Sequence, residues 1–338
     1  MLCPGCLRYY DTSFFDNHEY AQEMTQTPVT PPTVSVLIPA RNGEATLREL
    51  LAMLSLQTLT PHEVVVADSA STDNTAEVAR QYGAGLVDVD PGEFDHGGTR
   101  SMLAQRARGD ILVFMTQDAV MKTRNALEKL VAPLLEDDEV ATSYGRQLPA
   151  FDADFFARSL RNFNYPGSSA VRSMADRERL GLKTVFTSNS FACYRRKYLR
   201  DVGFFPAKLI FGEDTIVVAR LLQKGKKIVY VGDAEVYHSH NYSPLEEFRR
   251  YFDIGVLHAT QNWFISAFGQ AEGQGIQYVR HVLGLLLQEK RYTLLPELLA
   301  RVCMKYCGYK LGRYYKMLPK DLVPRLSLHR SWWLKSSS

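Results

Sequence analysis

The alternation of strand-length apolar runs with helix-length amphipathic segments is the feature that most restricts the fold of this chain. The predicted strands are residues 34–38, 63–67, 85–89 and 111–115, and the predicted helices between them are 45–57, 73–82 and 99–107. Strands that alternate with helices are typical of a parallel, doubly wound α/β sheet. We expect no signal peptide and no membrane-spanning segment, since no apolar run approaches the ~18 residues that cross a bilayer.

Polar residues follow directly after three of these strands. Residues 39–42 come after the first strand, Asp68 and Ser69 after the second, and Gln117 and Asp118 after the fourth. The carboxyl ends of the strands form the edge at which open α/β sheets bind ligands. A carboxylate there can hold a divalent metal, which in turn can hold a diphosphate. The alternative is that Asp118 caps a helix and Asp68 is a turn residue.

The first strand is not followed by G-x-G-x-x-G, and no Walker phosphate loop is present, which disfavours a dinucleotide-binding Rossmann domain and a P-loop enzyme. Residues 96–100 instead place two glycines, a threonine and an arginine at a predicted helix start. Backbone N–H groups there can approach a phosphate, and Arg100 can add a charge-assisted bond. A glycine pair also makes ordinary turns, and His96 can equally be a loop histidine.

Two further clusters carry candidate chemistry. Glu213 and Asp214 open a predicted helix, and repulsion between them can raise the pKa of one member toward that of a general base. The helix dipole alone also favours acidic residues at this position. His238 and His240 follow a predicted strand with a spacing of two, so they point the same way and form a feasible pair of metal ligands. Either histidine alone would more often be structural.

The positive charge of the chain is concentrated near its end. The net charge is +3, but residues 280–335 carry twelve Lys and Arg against three Asp and Glu, a local charge of +9 that leaves −6 for the rest. A basic, aromatic-rich segment favours contact with an anionic membrane surface, although a solvated helix face is the alternative. Because the charge is confined to this segment, we do not expect nucleic-acid binding. Trp332 and Trp333 suit either a membrane interface or packing on the main domain.

Composition shifts predict three regions. Residues 1–32 form an extension that ends in a proline-rich linker, residues 33–245 form the α/β domain, and residues 246–338 form a basic helical region. Cys3 and Cys6 form a lone C-x-x-C, which offers too few ligands for a structural zinc site.

Several of these segments together resemble family 2 glycosyltransferases of the GT-A fold, a Rossmann-like α/β/α sandwich. The resemblance is carried by V-S-V-L-I-P-A-R-N at 34–42, Asp68-Ser69 with 71–75, Gln117-Asp118 and Gly212-Glu213-Asp214. Residues 94–100 and 115–119 are similar to the bacterial rhamnosyltransferase branch. The match extends over about residues 33–250.

The resemblance implies inverting transfer of a sugar from a nucleotide diphosphate, with dTDP-L-rhamnose as donor and a glycan or lipid-linked oligosaccharide at the cytoplasmic membrane face as acceptor. Asp214, beside Glu213, matches the catalytic base. Asp118 matches the Asp that binds Mg²⁺ or Mn²⁺, with His238 or His240 completing the coordination; the common D-x-D is Thr-Gln-Asp here. The residues expected to contact the nucleotide-sugar are Pro39, Ala40, Arg41, Asn42, Asp68, Ser69, Asp73, His96, Gly97, Thr99, Arg100 and Gln117. A non-catalytic scaffold of the same fold that binds nucleotide-sugar or glycan is the alternative, followed by a hydrolase of the donor.

Overall fold

The computed structural model describes residues 32–269 and 273–335, so Cys3, Cys6 and most of the predicted linker lie outside the described residues. The strands are β1 Val34–Ala40, β2 Glu63–Asp68, β3 Gly85–Asp88, β4 Ile111–Met115, β5 Val120–Met121, β6 Val140–Leu148, β7 Ala170–Arg172, β8 Phe191–Arg195 and β9 Lys227–Tyr237. The helices of the main domain are α1 Glu44–Ser55, α2 Thr75–Gln81, α3 His96–Arg106, α4 Ala126–Glu136, α5 Phe155–Asn164, α6 Arg177–Leu180, α7 Arg196–Asp201 and α8 Glu213–Gln223. Those that follow are α9 Pro244–Thr260, α10 Asn262–Phe268, α11 Gln274–Gln288, α12 Leu295–Arg313, α13 Val323–Leu326 and α14 Arg330–Lys335.

The strands form one sheet in the order β3-β2-β1-β4-β8-β6-β9-β5, with β7 also paired to β9. The first four strands are mutually parallel, as the alternating pattern predicts. Beyond β4 the sheet is mixed, because β8 runs antiparallel to both β4 and β6. The parallel half therefore presents the carboxyl ends of β1, β2 and β4 at one edge, where the sequence places its polar residues.

Helices cover both faces of the sheet and give the expected α/β/α sandwich. On one face α1 buries the predicted stripe of Leu47, Leu50, Leu51 and Leu54. On the other face α3 and α8 pack through apolar side chains such as Leu103 and Leu221. The strands between them are buried on both sides, as in β4, where all five residues are buried.

Capping residues move several predicted helix ends. Helix α2 begins two residues later than predicted, at Thr75 after Asn74. Helix α3 begins three residues earlier than predicted, since the Asp95 carboxylate accepts a 2.6 Å hydrogen bond from the Gly98 N–H. Asp154 caps α5 in the same way, and that helix begins at Phe155.

Three features of the strands were not predicted. β5 and β7 are only two and three residues long, too short for an alternating pattern to reveal them. The strand before His238 is β9, eleven residues long, and its register against β6 shifts after Val231. Strand β8 begins at Phe191, so residues 188–190 precede it as a connecting segment.

The chain from Pro32 onward forms one compact unit that includes the C-terminal helices, so a domain border at residue 245 stays a prediction. Buried ion pairs fasten α12 to α9: Arg301 lies 3.3 Å from Glu247 and Lys305 lies 3.1 Å from the same carboxylate. Among the described residues, every helix is too short or too polar to cross a bilayer.

Candidate active site at the carboxyl edge of the sheet

The ends of β1 and β4 are joined by the side chain of Gln117. The Arg41 N–H donates to Gln117 Oε1 at 2.9 Å, and Gln117 Nε2 donates to the Arg41 carbonyl at 3.1 Å. The two strands are parallel neighbours, so their carboxyl ends come together as predicted. Gln117 therefore holds the loop after β1 in place.

Asp68, Asn42 and Asp73 hold the neighbouring loops together. The Asp68 carboxylate accepts from the Ser71 hydroxyl and, at 3.2 Å, from the Ser71 N–H. Asn42 Oδ1 accepts from the Thr72 N–H at 2.8 Å, and Asp73 accepts from the Glu44 N–H at 3.1 Å. A depression of about 540 Å³ lies beside these loops, lined in part by Asn42 and Asp73. The turn role of Asp68 is present in the structure, and nucleotide contacts by these residues stay a prediction.

Three further residues that were predicted to contact the nucleotide-sugar, Pro39, Ala40 and Ser69, lie at the carboxyl ends of β1 and β2. Pro39 and Ala40 are the last residues of β1, in register with Ala67 and Asp68. The Ser69 N–H donates to the Ala40 carbonyl at 2.9 Å, while the buried Ser69 hydroxyl has no hydrogen-bond partner.

Asp118, His238 and His240 form a cluster whose ligand atoms all lie within 4.8 Å of one another. The arrangement follows from strand pairing: Val120 of β5 lies opposite Tyr237 of β9, which brings the preceding Asp118 to the following His238. Asp118 Oδ1 lies 3.5 Å from His238 Nε2. The predicted metal ligands, far apart in sequence, are therefore adjacent.

The chemistry of this donor set fits a divalent metal. Burial lowers the pKa of His238 to about 3 despite the opposing charge of Asp118, so its ring is neutral near pH 7. Burial also lowers the pKa of His240. Neutral imidazoles and an ionised carboxylate are the forms that bind metals, and two imidazoles suit Mn²⁺ better than Mg²⁺, which prefers an all-oxygen set.

Glu213 and Asp214 begin α8, but their environments differ. Gly212 precedes them with φ 79°, a left-handed conformation that turns the chain into the helix. Glu213 is buried in an ion pair with Arg100, 2.9 Å away. Asp214 accepts hydrogen bonds from the N–H groups of Asn189, at 3.2 Å, and Thr215, at 2.7 Å.

These contacts separate the pKa values of the two carboxyls. Burial raises the pKa of Asp214, and the negative charge of Glu213 adds to it, to about 6. For Glu213 burial acts in the same direction, but Arg100 and His96 outweigh it and the pKa is lowered. Of the pair, Asp214 is thus the member poised as a general base near neutral pH.

Helix α3, which begins at His96, lies beside this pair and contacts it through Arg100. Gly97 packs so closely on the Pro206 carbonyl that a Cβ would lie 1.9 Å from it. Thr99 and Arg100 are buried, and the Gly98 N–H is used by Asp95. Gly97 therefore serves close packing, and Gly98 serves the cap of the helix. The charge of Arg100 is already balanced by Glu213. Contact of this segment with the sugar donor remains a prediction.

Residues 188–190 connect the two halves of the site, and they were not among the predicted site residues. The Asn189 N–H binds Asp214, and the Thr116 N–H donates to the Ser190 carbonyl at 3.4 Å, two residues before Asp118. Ser188 Oγ accepts from Gln147 Nε2 at 2.8 Å, and Gln147 contacts His238. Hydrogen bonds therefore link both Asp214 and, through Gln147, His238 of the Asp118 cluster to one short segment. Gln147, Ser188 and Asn189 lack any sequence pattern that would have marked them.

Two O-antigen chain rhamnosyltransferases are similar to this chain over most of its length. The O-antigen chain rhamnosyltransferase WbaN of Salmonella anatum is 41% identical over 304 residues, which cover 89% of the chain and 96% of WbaN. RfbN of Salmonella typhimurium, also an O-antigen chain rhamnosyltransferase, is 39% identical over 302 residues with the same coverage.

The fold is similar to that of a solved mannosyltransferase, PcManGT from Pyrobaculum calidifontis, in complex with GDP-Man and Mn²⁺. The TM-score is 0.54 at 18% identity, over 92% of this chain and 87% of the other, a likeness that concerns the fold and agrees with the predicted GT-A architecture. Residues 35–203 match Glycosyl transferase family 2. With this match and the two close relatives, the chain belongs to glycosyl transferase family 2 and is a rhamnosyltransferase-like glycosyltransferase.

Proposed function

We propose that this enzyme transfers L-rhamnose from dTDP-L-rhamnose to a hydroxyl of a lipid-linked glycan during O-antigen synthesis, with inversion at the anomeric carbon. The transferred sugar and the pathway are suggested by relatives that are named O-antigen chain rhamnosyltransferases and match nearly the whole chain. The structural observation that carries the mechanism is the meeting of the Asp118 cluster and Asp214 on residues 188–190.

Asp214 acts as the base. Its carboxylate takes the proton of the acceptor hydroxyl as the oxygen bonds to the anomeric carbon. On the opposite face of the sugar the bond from that carbon to the diphosphate oxygen breaks, and dTDP leaves with the electron pair. Glu213 stays ionised beside Arg100 and keeps the pKa of Asp214 high enough for proton transfer.

Asp118, His238 and His240 would hold Mn²⁺ or Mg²⁺, with Mn²⁺ favoured by the two imidazoles. When bound, the ion supplies positive charge that stabilises the leaving diphosphate. The loops after β1 and β2, with Arg41, Asp68 and Asp73, would bind the nucleotide beside the 540 Å³ depression.

A direct assay tests this function. The full chain is incubated with Mn²⁺, a lipid extract that contains lipid-linked glycan, and in turn labelled dTDP-L-rhamnose, UDP-GlcNAc and GDP-mannose. We expect label to enter the lipid fraction only from dTDP-L-rhamnose. Transfer from another donor would refute the sugar assignment, release of free rhamnose without transfer would indicate a hydrolase, and binding without turnover would indicate a scaffold.

A lipid-linked acceptor requires that the enzyme reach the membrane, and we place that contact on α11 and α12. Helix α11 buries one side in the apolar cluster that contains α5, and α12 buries one side against α9. Their opposite sides expose aliphatic and aromatic residues at helical spacing, Ile276, Leu283 and Leu287 on α11 and Leu299 and Tyr306 on α12. Exposed cations on the same stripes, Arg280 and Lys310, complement anionic lipid.

We place this contact away from the two tryptophans. Trp332 and Trp333 are partly buried against the apolar cluster that contains Phe252, so the packing alternative describes them. The membrane surface is instead the exposed side of α11 and α12, which lie before the last two helices. This arrangement supports a peripheral position at the cytoplasmic face of the membrane.

Vesicle binding by the full chain tests this surface. Leu283→Asp with Tyr306→Asp should reduce co-sedimentation with phosphatidylglycerol vesicles at least fivefold, because both substitutions place negative charge on an apolar, cationic face. Leu135→Asp, at a leucine that is similarly exposed on α4, is the matched control and should bind like the unmodified protein. Equal binding by both variants at low salt would refute the assignment.

A further inference from the structure

We propose that Gln147 is a positioning residue for the metal cluster: it selects the tautomer of His238 that directs a lone pair toward Asp118. This inference rests on the proposed role of Asp118, His238 and His240 as metal ligands. It concerns a residue at the end of β6 that contacts no predicted substrate position.

The orientation of the Gln147 amide is fixed by two partners. Arg161 Nη1 donates to Gln147 Oε1 at 2.7 Å. A guanidinium has only donors, so the oxygen of the amide and not its NH₂ must face Arg161. The NH₂ group then donates to Ser188 Oγ at 2.8 Å.

This orientation determines the proton position on His238. The amide oxygen also lies 3.0 Å from His238 Nδ1, and an amide oxygen can only accept. Nδ1 must therefore carry the hydrogen, and in the neutral ring Nε2 is left with its lone pair. That nitrogen is the atom closest to Asp118.

Two acceptors consequently face each other. His238 Nε2 and Asp118 Oδ1 lie 3.5 Å apart, with no proton between them to form a hydrogen bond. The Arg161 and Arg250 guanidiniums act electrostatically on this pair, and a metal ion bound to both atoms would relieve the repulsion between them. A hydrogen bond from the second ring nitrogen to a fixed acceptor is also the usual way in which proteins orient metal-binding histidines.

Gln147 also links this cluster to the base. Ser188, which accepts from its NH₂ group, precedes Asn189, whose N–H binds Asp214. Arg161 lies on α5 and holds the other side of the amide. The tautomer of His238 is thus set by a side chain that is itself held between a helix and the 188–190 segment.

Two variants of the full chain separate the acceptor from the rest of the side chain. Gln147→Leu removes the acceptor, which frees the His238 ring to place its proton on Nε2 and bond Asp118 instead. Gln147→Glu keeps an acceptor for both Nδ1 and Arg161. Gln57→Leu is the matched control, because Gln57 is a buried amide with three backbone hydrogen bonds remote from the cluster.

Two measurements are made on folded protein. Long-range ¹H–¹⁵N NMR of histidine-labelled protein, with the His238 signal identified by its loss in His238→Gln, reports the tautomer without metal. We expect Nδ1–H in the unmodified protein and in Gln147→Glu, and Nε2–H in Gln147→Leu. Titration with Mn²⁺, followed by the EPR signal of the free ion, should show 10- to 100-fold weaker binding for Gln147→Leu and unchanged binding for Gln57→Leu.

An Nε2–H tautomer in the unmodified protein, or Mn²⁺ binding by Gln147→Leu within threefold of the unmodified protein, would overturn the inference while leaving the proposed function standing. Failure of the metal site gives a different pattern. Unmodified protein with the Nδ1–H tautomer but no Mn²⁺ binding would remove the metal role, and with it the positioning role of Gln147.

Discussion

The two carboxylates at the centre of the site, Asp118 and Asp214, are placed in opposite electrostatic settings. Asp118 retains a side-chain exposure of 33% and lies beside His238 and His240, two imidazoles that can bind a cation together with it. Asp214 lies beside a second, ionised carboxyl, and its pKa is raised to about 6. The same residue type is thus suited to the proposed ligand role in one place and to the proposed base role in the other, because its neighbours differ.

Removing the base should have the largest effect on turnover. Asp214→Asn keeps the size of the side chain but cannot accept the acceptor proton, so we expect kcat to fall by roughly 10²–10⁴-fold with little change in donor affinity. A radiochemical transfer assay and calorimetric donor titration measure the two quantities. Asp201→Asn, on the surface of α7, is the control, and near-normal transfer by Asp214→Asn would assign the base elsewhere.

Replacing Arg100 should lower the free energy of unfolding, because Arg100 is the ion-pair partner of buried Glu213 beside Asp214. Arg100→Met leaves Glu213 buried without its ion-pair partner, and breaking a buried pair in this way costs about 3–5 kcal/mol in the free energy of unfolding. Urea denaturation measures the loss. The double variant with Glu213→Gln should recover much of it, whereas an equal loss in the single and double variants would show that packing, and not charge, is responsible.

Asp118→Asn should affect only the binding of the metal ion. It removes the one carboxylate of the cluster, so we expect Mn²⁺ affinity to fall about 10–100-fold, and the Mn²⁺ concentration for half-maximal activity to rise in parallel. The raised pKa of Asp214 should be unaffected. A change in the acid limb of the pH profile of this variant would show that the two settings are not independent.

The pH dependence of kcat should report the ionisation of Asp214, and it is the smallest of the expected effects. Asp214 must be ionised to accept a proton, and its pKa is raised, so kcat should be constant above about pH 7 and decline below pH 6. The decline approaches tenfold per pH unit below that value. Rates from pH 5 to 8 at saturating donor test this, and a profile that stays flat down to pH 5 would mean that no carboxyl with a raised pKa limits the reaction.

Much of the parallel half of the fold could be predicted because its signals are local. The leucine stripe of α1 and the apolar run of β4 have the periodicity of their final structures, and the residues after β1, β2 and β4 reach one edge by the rule of parallel strands. Helix ends were less accurate, because a single capping carboxylate such as Asp95 decides them.

The candidate residues themselves were indicated by the sequence, but their partners were not. Arg100 was expected to face the donor, yet it balances the charge of Glu213 in the folded chain. Gln147 and Asn189 carry no pattern of charge or spacing, and they gain importance only from what they contact. These contacts join residues 25 to 113 positions apart, so they depend on the whole fold and no local pattern encodes them.

In the parallel half, the order of strands and helices, the apolar faces and the identity of the acidic side chains were thus determined by the sequence alone, since each depends on residues near one another in the chain. Tertiary structure decided the electrostatic surroundings of the two carboxyls, on which their proposed roles as ligand and base depend. The reason is that a pKa and a tautomer depend on burial, on nearby charges and on hydrogen-bond partners, and for Asp118 and Asp214 these come mainly from distant strands and loops.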